Sequence, residues 1–307
     1  MRKPRDPRVS ALRRFAVSIT VLTVVGHLWL GFEQSWAQAV AALGTVYVLT
    51  VGLEAVEAFC QGRPPVWAKG RAATITFLLP AHISGMAIGL LLYPSDRLWP
   101  FVFAASVAVG GKYVFRAPVN GRMRHVMNPS NLGVALTLVL FPSVGVGLPY
   151  MFTEHVEGAL DWIIPAILLA SGLMLNLTLT GKGPLVAAWI VGFAAQAVVR
   201  GLVGDVDITA ALSPMSGAAF LLFTNYMITD PGTTPVRPRN QVVFALSAAA
   251  VYGVITAANA VYGLFWCIVV VCLVRGTVLW AIELARVREA AAERVAPAPI
   301  ATAEAGR

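Results

Sequence analysis

The chain has 307 residues, of which 58% are hydrophobic and only 12% are charged, and its mean hydropathy is +0.74. Soluble domains are about half apolar and about a quarter charged, so this composition excludes an ordinary soluble enzyme and predicts a protein that lies in a lipid bilayer. The formal net charge is +8. In a membrane protein, excess basic residues are concentrated in the loops on one side of the membrane. The sequence contains no basic module interleaved with aromatic residues, so nucleic-acid binding is not predicted.

Ten apolar segments are long enough to predict membrane-spanning helices. We therefore predict an all-α polytopic membrane protein with ten transmembrane helices. The fourth, fifth and eighth segments are short, which predicts helices that are little tilted or broken. In chain order the segments are 15–31, 37–56, 73–93, 98–114, 132–148, 162–179, 184–203, 212–228, 242–261 and 264–284.

The basic residues predict how the chain is oriented. Loops on one side of the ten segments hold sixteen Lys and Arg residues, whereas the intervening loops hold only Arg97 and Arg200. Because basic loops stay inside, we predict a multi-pass protein of the inner (cytoplasmic) cell membrane with both termini cytoplasmic. Its parts are a basic N-terminus (1–14), the membrane domain (15–285) and a disordered tail rich in Ala, Pro, Glu and Arg (286–307).

A weak internal similarity indicates two inverted halves. The segment 79–87 (Leu-Pro-Ala-His-Ile-Ser-Gly-Met-Ala) in the third helix resembles 212–219 (Leu-Ser-Pro-Met-Ser-Gly-Ala-Ala) in the eighth. The two helices are five apart and so run in opposite directions, as in membrane proteins built from inverted repeats. Chance is the alternative, because Pro, Ser and Gly are common in membrane helices.

Two polar corners interrupt the apolar pattern. The first corner, 124–131, contains Asn-Pro-Ser-Asn at the start of the fifth helix, with Arg124 upstream. Asn128 can cap this helix, or its free N–H groups, with Ser130 and Asn131, can bind a phosphate or carboxylate. An ordinary capped turn beside positive-inside arginines is the alternative.

The second corner, 229–235 (Thr-Asp-Pro-Gly-Thr-Thr-Pro), follows the eighth helix on the same predicted side. Asp230, between Thr229 and Thr233, can accept hydrogen bonds from the hydroxyls of a flavin or pair with an arginine of the first corner. A plain Asx turn is the alternative. Backbone broken by Pro and Gly at a membrane edge needs protein or a cavity to satisfy it, so we expect a polar pocket between the corners.

Other motifs carry less information. His27 and His82 lie at similar depths, which permits a shared haem or metal, although intramembrane histidines more often bond neighbouring groups. No hydrolase or NTPase signature is present in the sequence. If the chain is an enzyme, it is at most a redox subunit, with no predicted metal site and no assigned catalytic residue.

At both corners the chain resembles the RnfD/NqrB family, the membrane subunits of the Rnf and Na⁺-pumping NADH:quinone reductase complexes. The matching segments are 125–133 with Phe141 and Pro142, and 216–220 continuing through 229–235 to Phe244. More closely, segments 12–22, 31–36 and 149–154 are similar to RnfD-like, UnbU-type proteins of enediyne biosynthesis clusters. The resemblance covers residues 15–285.

The resemblance implies a flavin-bearing electron carrier, in which FMN is joined to a Thr in a Ser-x-Ala-Thr-like motif. This chain departs from that motif, because Thr153 lacks its context and the Ser-Gly-Ala-Ala segment beginning at Ser216 has Ala219 where Thr often stands. The covalent attachment Thr is therefore not found, and two alternatives stay open: a non-covalent flavin, FMN or riboflavin, or no flavin.

Three functions follow as alternatives. The first is electron transfer to or from a redox or biosynthetic partner protein in enediyne assembly. The second is transport of a small molecule, for export or self-tolerance, on the same scaffold. The third is a membrane anchor for a biosynthetic complex.

Overall fold

A computed structural model describes residues 7–93, 96–119, 121–147, 152–204 and 206–295 of the chain. The structure is mainly α-helical. In order, its α-helices are α1 (Pro7–Trp29), α2 (Trp36–Cys60), α3 (Arg71–Leu91), α4 (Trp99–Val114), α5 (Pro129–Leu140), α6 (Leu160–Met174), α7 (Gly183–Val203), α8 (Ile208–Leu212), α9 (Ala218–Leu222), α10 (Pro238–Ala257) and α11 (Gly263–Val295).

Among the described residues, seven helices are long and apolar enough to cross a membrane, or eight if the bent α8–α9 pair is one span. The seven are α1, α2, α3, α6 with its extension, α7, α10 and α11. The remaining segments are those whose sequence predicts short or broken helices: α4 has 16 residues, α5 has 12, and the eighth is bent by 63°. The protein is thus a multi-pass helical membrane protein.

Two helices end in π-helical turns, and the eighth segment has a break as well. Leu175–Thr180 continues α6, and Phe223–Met227 continues α9. Before α9, Ser213–Ser216 is a 3₁₀ turn containing Pro214, and Gly217 is extended. Proline removes a backbone donor and an extended glycine leaves the helix, which together account for the bend.

Two small antiparallel sheets lie at opposite ends of α4. β1 (Leu92–Tyr93) pairs with β4 (Gly145–Val146), and β2 (Arg116–Val119) pairs with β3 (Arg122–His125). The first sheet joins the end of α3 to the chain that leaves α5. The second leads into the first corner. Strands this short carry no readable alternation, so the sequence did not predict them.

The core forms where small residues let helices approach. A Cβ on Gly133 of α5 would lie 2.3 Å from the carbonyl oxygen of Ala104 on α4, so only glycine fits at this crossing. Ala105 and Ala108 beside it are fully buried. Small residues at crossings are typical of membrane helix packing.

The C-terminal tail differs from the expectation of disorder in its first part. Helix α11 continues to Val295, so 286–295 are helical. Ala, Glu and Arg are good helix formers, and Arg286 lies 3.8 Å from Glu283 one turn earlier. The rest of the tail (296–307) and residues 1–6 lie outside the described residues.

Candidate functional site

A cavity of about 880 Å³ lies beside the two corners. Its walls come from α1, α3, α4, the β2–β3 hairpin, the start of α5, the π-turn after α6 and the α9 segment. Ligand sites in proteins occupy about 300–1,000 Å³, so this volume suits a cofactor or a comparably large molecule.

The first corner begins α5 with a side-chain cap. Asn128 is extended, and its Oδ1 accepts from the backbone N–H of Asn131 at 3.1 Å and from the Ser130 hydroxyl at 3.1 Å. Pro129 at the first helical position needs no hydrogen-bond partner. The capped-turn prediction is therefore confirmed, and both Asn128 and Ser130 also line the cavity.

The first corner is bonded to the π-turn that immediately precedes the second corner. The Asn128 side-chain amide Nδ2 donates to the carbonyl oxygen of Met227 at 3.1 Å, across 99 residues of sequence. Asn128 is buried, and Thr229 and Asp230 line the same cavity. The expected pocket between the corners is therefore present, with one side chain joining its two walls.

The second corner is an Asx turn. Asp230 Oδ1 accepts from the Gly232 N–H at 3.2 Å, and Oδ2 accepts from the Thr233 hydroxyl at 2.8 Å. The Thr229 hydroxyl donates to the Asn225 carbonyl oxygen at 2.6 Å. The alternative pairing of Asp230 with an arginine of the first corner is not found, since within the described residues Asp230 makes no ion pair.

Two distant cations hold the second corner in place. Lys182 Nζ, from the loop before α7, donates to the carbonyl oxygen of Pro235 at 2.7 Å. Arg275 Nη1, from α11, donates to that of Thr233 at 2.7 Å. Charged donors make stronger hydrogen bonds than neutral ones, so two separate elements of the chain hold the turn.

One end of the cavity is strongly basic, and we call it the basic end. Its only carboxylate among the described lining residues is Asp230. Within the described residues, none of its basic side chains forms an ion pair. An uncompensated positive end attracts an anion. These basic side chains are Lys112, Arg116, Arg124 and Lys182.

Burial changes the protonation of two groups here. It lowers the pKa of His125 below its ordinary value, and the nearby Asp230 carboxylate only partly opposes this effect. Burial likewise lowers the pKa of Lys182 to about 8. His125 is therefore neutral at pH 7, whereas Lys182 is largely charged at pH 7 and loses its charge slightly above it.

The rest of the cavity is apolar, and we call it the sleeve. Its lining belongs mainly to α1 and α3 and includes Phe15, Ile19, Leu22, Phe77, Ile83 and Leu90. A basic end joined to an apolar sleeve fits a molecule with an anionic part and a larger apolar part.

The two π-turns meet beside the cavity. Asn176 Nδ2 in the first donates to the Asn225 carbonyl oxygen in the second at 2.9 Å, and both side chains are buried. Gly172 allows this approach, because a Cβ there would lie 2.3 Å from Asn225. π-turns are frequent at functional sites, and here they place polar groups at the cavity wall.

Three of the predicted site residues do not line the cavity. Asn131 donates to the carbonyl oxygen of Phe265, and Thr233 lies buried behind Asp230. Ser216 is exposed in the 3₁₀ turn, where its hydroxyl donates to the Ser213 carbonyl oxygen. It is separated from the second corner by α9 and its π-turn. Those that do line it are Arg124, Asn128, Ser130, Thr229 and Asp230.

Sequence reasoning missed the basic side chains that come from elsewhere. Lys112 and Lys182 read only as positive-inside residues, and Arg275 lies within an apolar helix. A cation inside a membrane helix is a functional candidate by default, so Arg275 did carry a usable signal. Lys182 carried none, because its approach to Pro235 depends on tertiary packing.

The two intramembrane histidines are hydrogen-bonded separately. His82 contacts Thr20 Oγ1 through Nε2 at 2.8 Å and the Tyr47 hydroxyl through Nδ1 at 2.6 Å. His27 Nδ1 is 2.8 Å from the Thr23 carbonyl oxygen, and its ring stacks on Trp36. The hydrogen-bonding alternative is therefore confirmed for both residues.

Comparison with known proteins does not assign the chain. No protein-family model matches it, and no curated protein matches it significantly.

Proposed function

We propose that this protein is a membrane electron-transfer component that binds a flavin, FMN or riboflavin, non-covalently in the cavity. One observation carries the proposal: the hydrogen bond from Asn128 to the Met227 carbonyl oxygen ties the first corner to the π-turn just before the second corner, at the basic end of a cofactor-sized cavity. The resemblance to the RnfD/NqrB family rests on those same corners.

The lining residues fit such a group. Lys112, Arg124 and Lys182 would hold a phosphate, the Asp230 carboxylate would accept from ribityl hydroxyls, and the sleeve would receive the apolar part of the ring system. When bound, a flavin supplies one- and two-electron chemistry. The protein would fix its position and keep it out of bulk water.

The structure favours a non-covalent site. The Thr229 and Thr233 hydroxyls are both used in hydrogen bonds of the second corner. Ser216, in the segment that resembles the second flavin motif, lies exposed and away from the cavity. Among the described residues that line the cavity, Thr50 and Thr180 are the remaining threonines, and neither lies in a flavin motif.

The finer topology belongs to the same proposal. We infer ten membrane segments in two inverted halves, in the inner cell membrane with both termini cytoplasmic. The sorting of basic loops and the similarity between 79–87 and 212–219 support this arrangement. The similarity to enediyne-cluster proteins supports a redox or biosynthetic partner protein that acts in the assembly of an enediyne.

A second candidate is transport of a small molecule. It is supported by the broken eighth segment, which is bent by 63° and whose later residues, including Leu222 and Tyr226, line the cavity. Broken helices at a central site are typical of transporters. On this alternative the cavity would hold cargo and no electron carrier.

The test is a cofactor analysis of the protein purified in detergent. We expect a flavin absorption spectrum, or binding of added FMN, and release of intact flavin on denaturation. The double variant Arg124→Gln/Lys182→Gln should lose the flavin, whereas Arg97→Gln, which removes a charge outside the cavity, should keep it. Absence of both bound flavin and FMN binding in the wild-type protein would overturn the proposal.

A further inference from the structure

The cavity is elongated along two helices. On α1 its lining runs from Ala11 to Leu22, about 16 Å along the helix, and on α3 from Phe77 to Leu91, about 21 Å. The hydrocarbon core of a bilayer is about 30 Å thick. The cavity lining is therefore about half to two thirds as long as the hydrocarbon core is thick.

A single helix separates the sleeve from lipid. The inner face of α1 contributes Phe15 and Ile19 to the cavity, and Ile19 is 6% exposed. On the opposite face, Val17 is 63% and Val21 is 52% exposed. No other described helix lies outside α1 to cover those valines, so they are suited to contact acyl chains.

Few polar contacts hold α1 in place. The Thr20 hydroxyl is hydrogen-bonded to His82 on α3. Another contact is aromatic: Phe15 stacks on Tyr226 with ring centroids 5.3 Å apart. Apolar contacts between membrane helices exchange readily with lipid, because lipid tails are as apolar as leucine. A molecule from the bilayer that passes α1 would therefore replace mainly apolar contacts.

We propose that the cavity binds an anionic amphiphile, with a carboxylate or phosphate head among Lys112, Arg124 and Lys182 and an apolar chain along the sleeve. The molecule enters from the bilayer past α1. This inference goes beyond the flavin proposal, because it depends on the length of the sleeve and on its lipid-side wall. Since flavin mononucleotide and the amphiphile present an anion to the same cations, they compete at the basic end.

The test uses photo-reactive lipids on the full-length protein in nanodiscs. Two probes carry a diazirine on the chain: a fatty acid, with a carboxylate head, and a phosphatidic acid, with a phosphate head. Peptide mapping should place the label of at least one probe on the cavity-lining residues of α1 and α3. The probe that labels them identifies the head group.

Matched variants on one helix separate the cavity from the bilayer. Ile19→Trp should fill the sleeve and abolish labelling there, whereas Val21→Trp, two residues away on the lipid face, should not. Ala87→Phe fills the sleeve from α3 and replaces Ile19→Trp if that variant does not fold. Equal labelling in all of these variants would show ordinary lipid contact and overturn the proposal.

The head group has its own test. Arg124→Gln or Lys182→Gln should weaken labelling of the sleeve about tenfold, the effect of losing one charged hydrogen bond, while Arg97→Gln should leave it unchanged. Labelling that ignores the first two variants would overturn the anionic head. Added FMN should reduce labelling if the flavin proposal holds. Labelling that persists in a protein unable to bind FMN would defeat only the flavin proposal.

Discussion

Helix α9 and the π-turn that continues it have one side packed against other side chains and one side facing the cavity. One stripe, Phe220, Phe223 and Thr224, faces an aromatic cluster in which Trp189 is fully buried and donates to Thr224 Oγ1 at 3.0 Å. The other stripe, including Leu222 and Tyr226, lines the cavity. One helical segment therefore contributes to stability through one face and to ligand binding through the other.

The largest effect on stability should come from the side that packs against the aromatic cluster. Trp189→Ala should lower the free energy of unfolding by about 3–5 kcal/mol, because it leaves a large void among packed rings. Trp162→Ala, which removes a tryptophan that is 81% exposed, is the control and should cost far less. Thermal unfolding in detergent measures both. Similar losses would contradict the contrast between the two sides.

A smaller loss of stability should follow from breaking the hydrogen bond between Asn128 and Met227. Asn128→Ala removes both the cap of α5 and the bond to Met227, which should cost about 2–3 kcal/mol. Asn128→Ser keeps a capping oxygen but loses the bond to Met227, so its loss should be intermediate. Unfolding and cavity-ligand binding are measured together. If Asn128→Ser is as stable as the wild type, the hydrogen bond to Met227 contributes nothing to stability.

The basic end should respond to pH in two opposite directions. Above about pH 8 Lys182 loses its charge, so FMN affinity should fall about tenfold by pH 9. The unfolded chain keeps this proton up to about pH 10.5, so Lys182 should make the ligand-free protein more stable as pH rises from 8. Fluorescence titration and unfolding curves measure these trends. Lys182→Arg stays charged, so it should bind FMN equally at pH 8 and pH 9. If the FMN affinity of this variant fell as much as that of the wild type, Lys182 would be excluded as the cause.

The smallest effect should come from a residue outside both regions. Ser216→Ala should change stability by less than about 0.5 kcal/mol and leave ligand binding unaltered, because Ser216 is exposed and bonds only within its own turn. Ser130→Ala at the cavity is the comparison and should weaken binding. Loss of flavin from Ser216→Ala alone would move the site away from the corners.

The sequence predicted the parts of this picture that depend on local composition. Apolar runs identified the helices, and the short runs identified where α4 and α5 are short and the eighth segment is broken. Asn128 and Asp230 were found because Pro and Gly beside polar residues are unusual at a membrane edge.

What could not be predicted depends on residues distant in sequence. The contact of Lys182 with Pro235 spans 53 residues, and that of Arg275 with Thr233 spans 42. The stripe 222, 225, 226 and 229 has helical spacing, but nothing in the pattern says that it faces an open space. The cavity, and the hydrogen-bond partners of the side chains around it, form only when the helices pack.

The shortness of α5 has a consequence for electrical work. Its 12 residues rise about 18 Å, and the β1–β4 pairing holds the chain leaving it level with the far end of α3. Since these 12 residues cannot cross a hydrocarbon core about 30 Å thick on their own, α5 needs the segments around it to complete the crossing. A charge moved along α5 would therefore cross only part of the membrane field, of which the whole corresponds to about 2.3 kcal/mol per elementary charge at 100 mV.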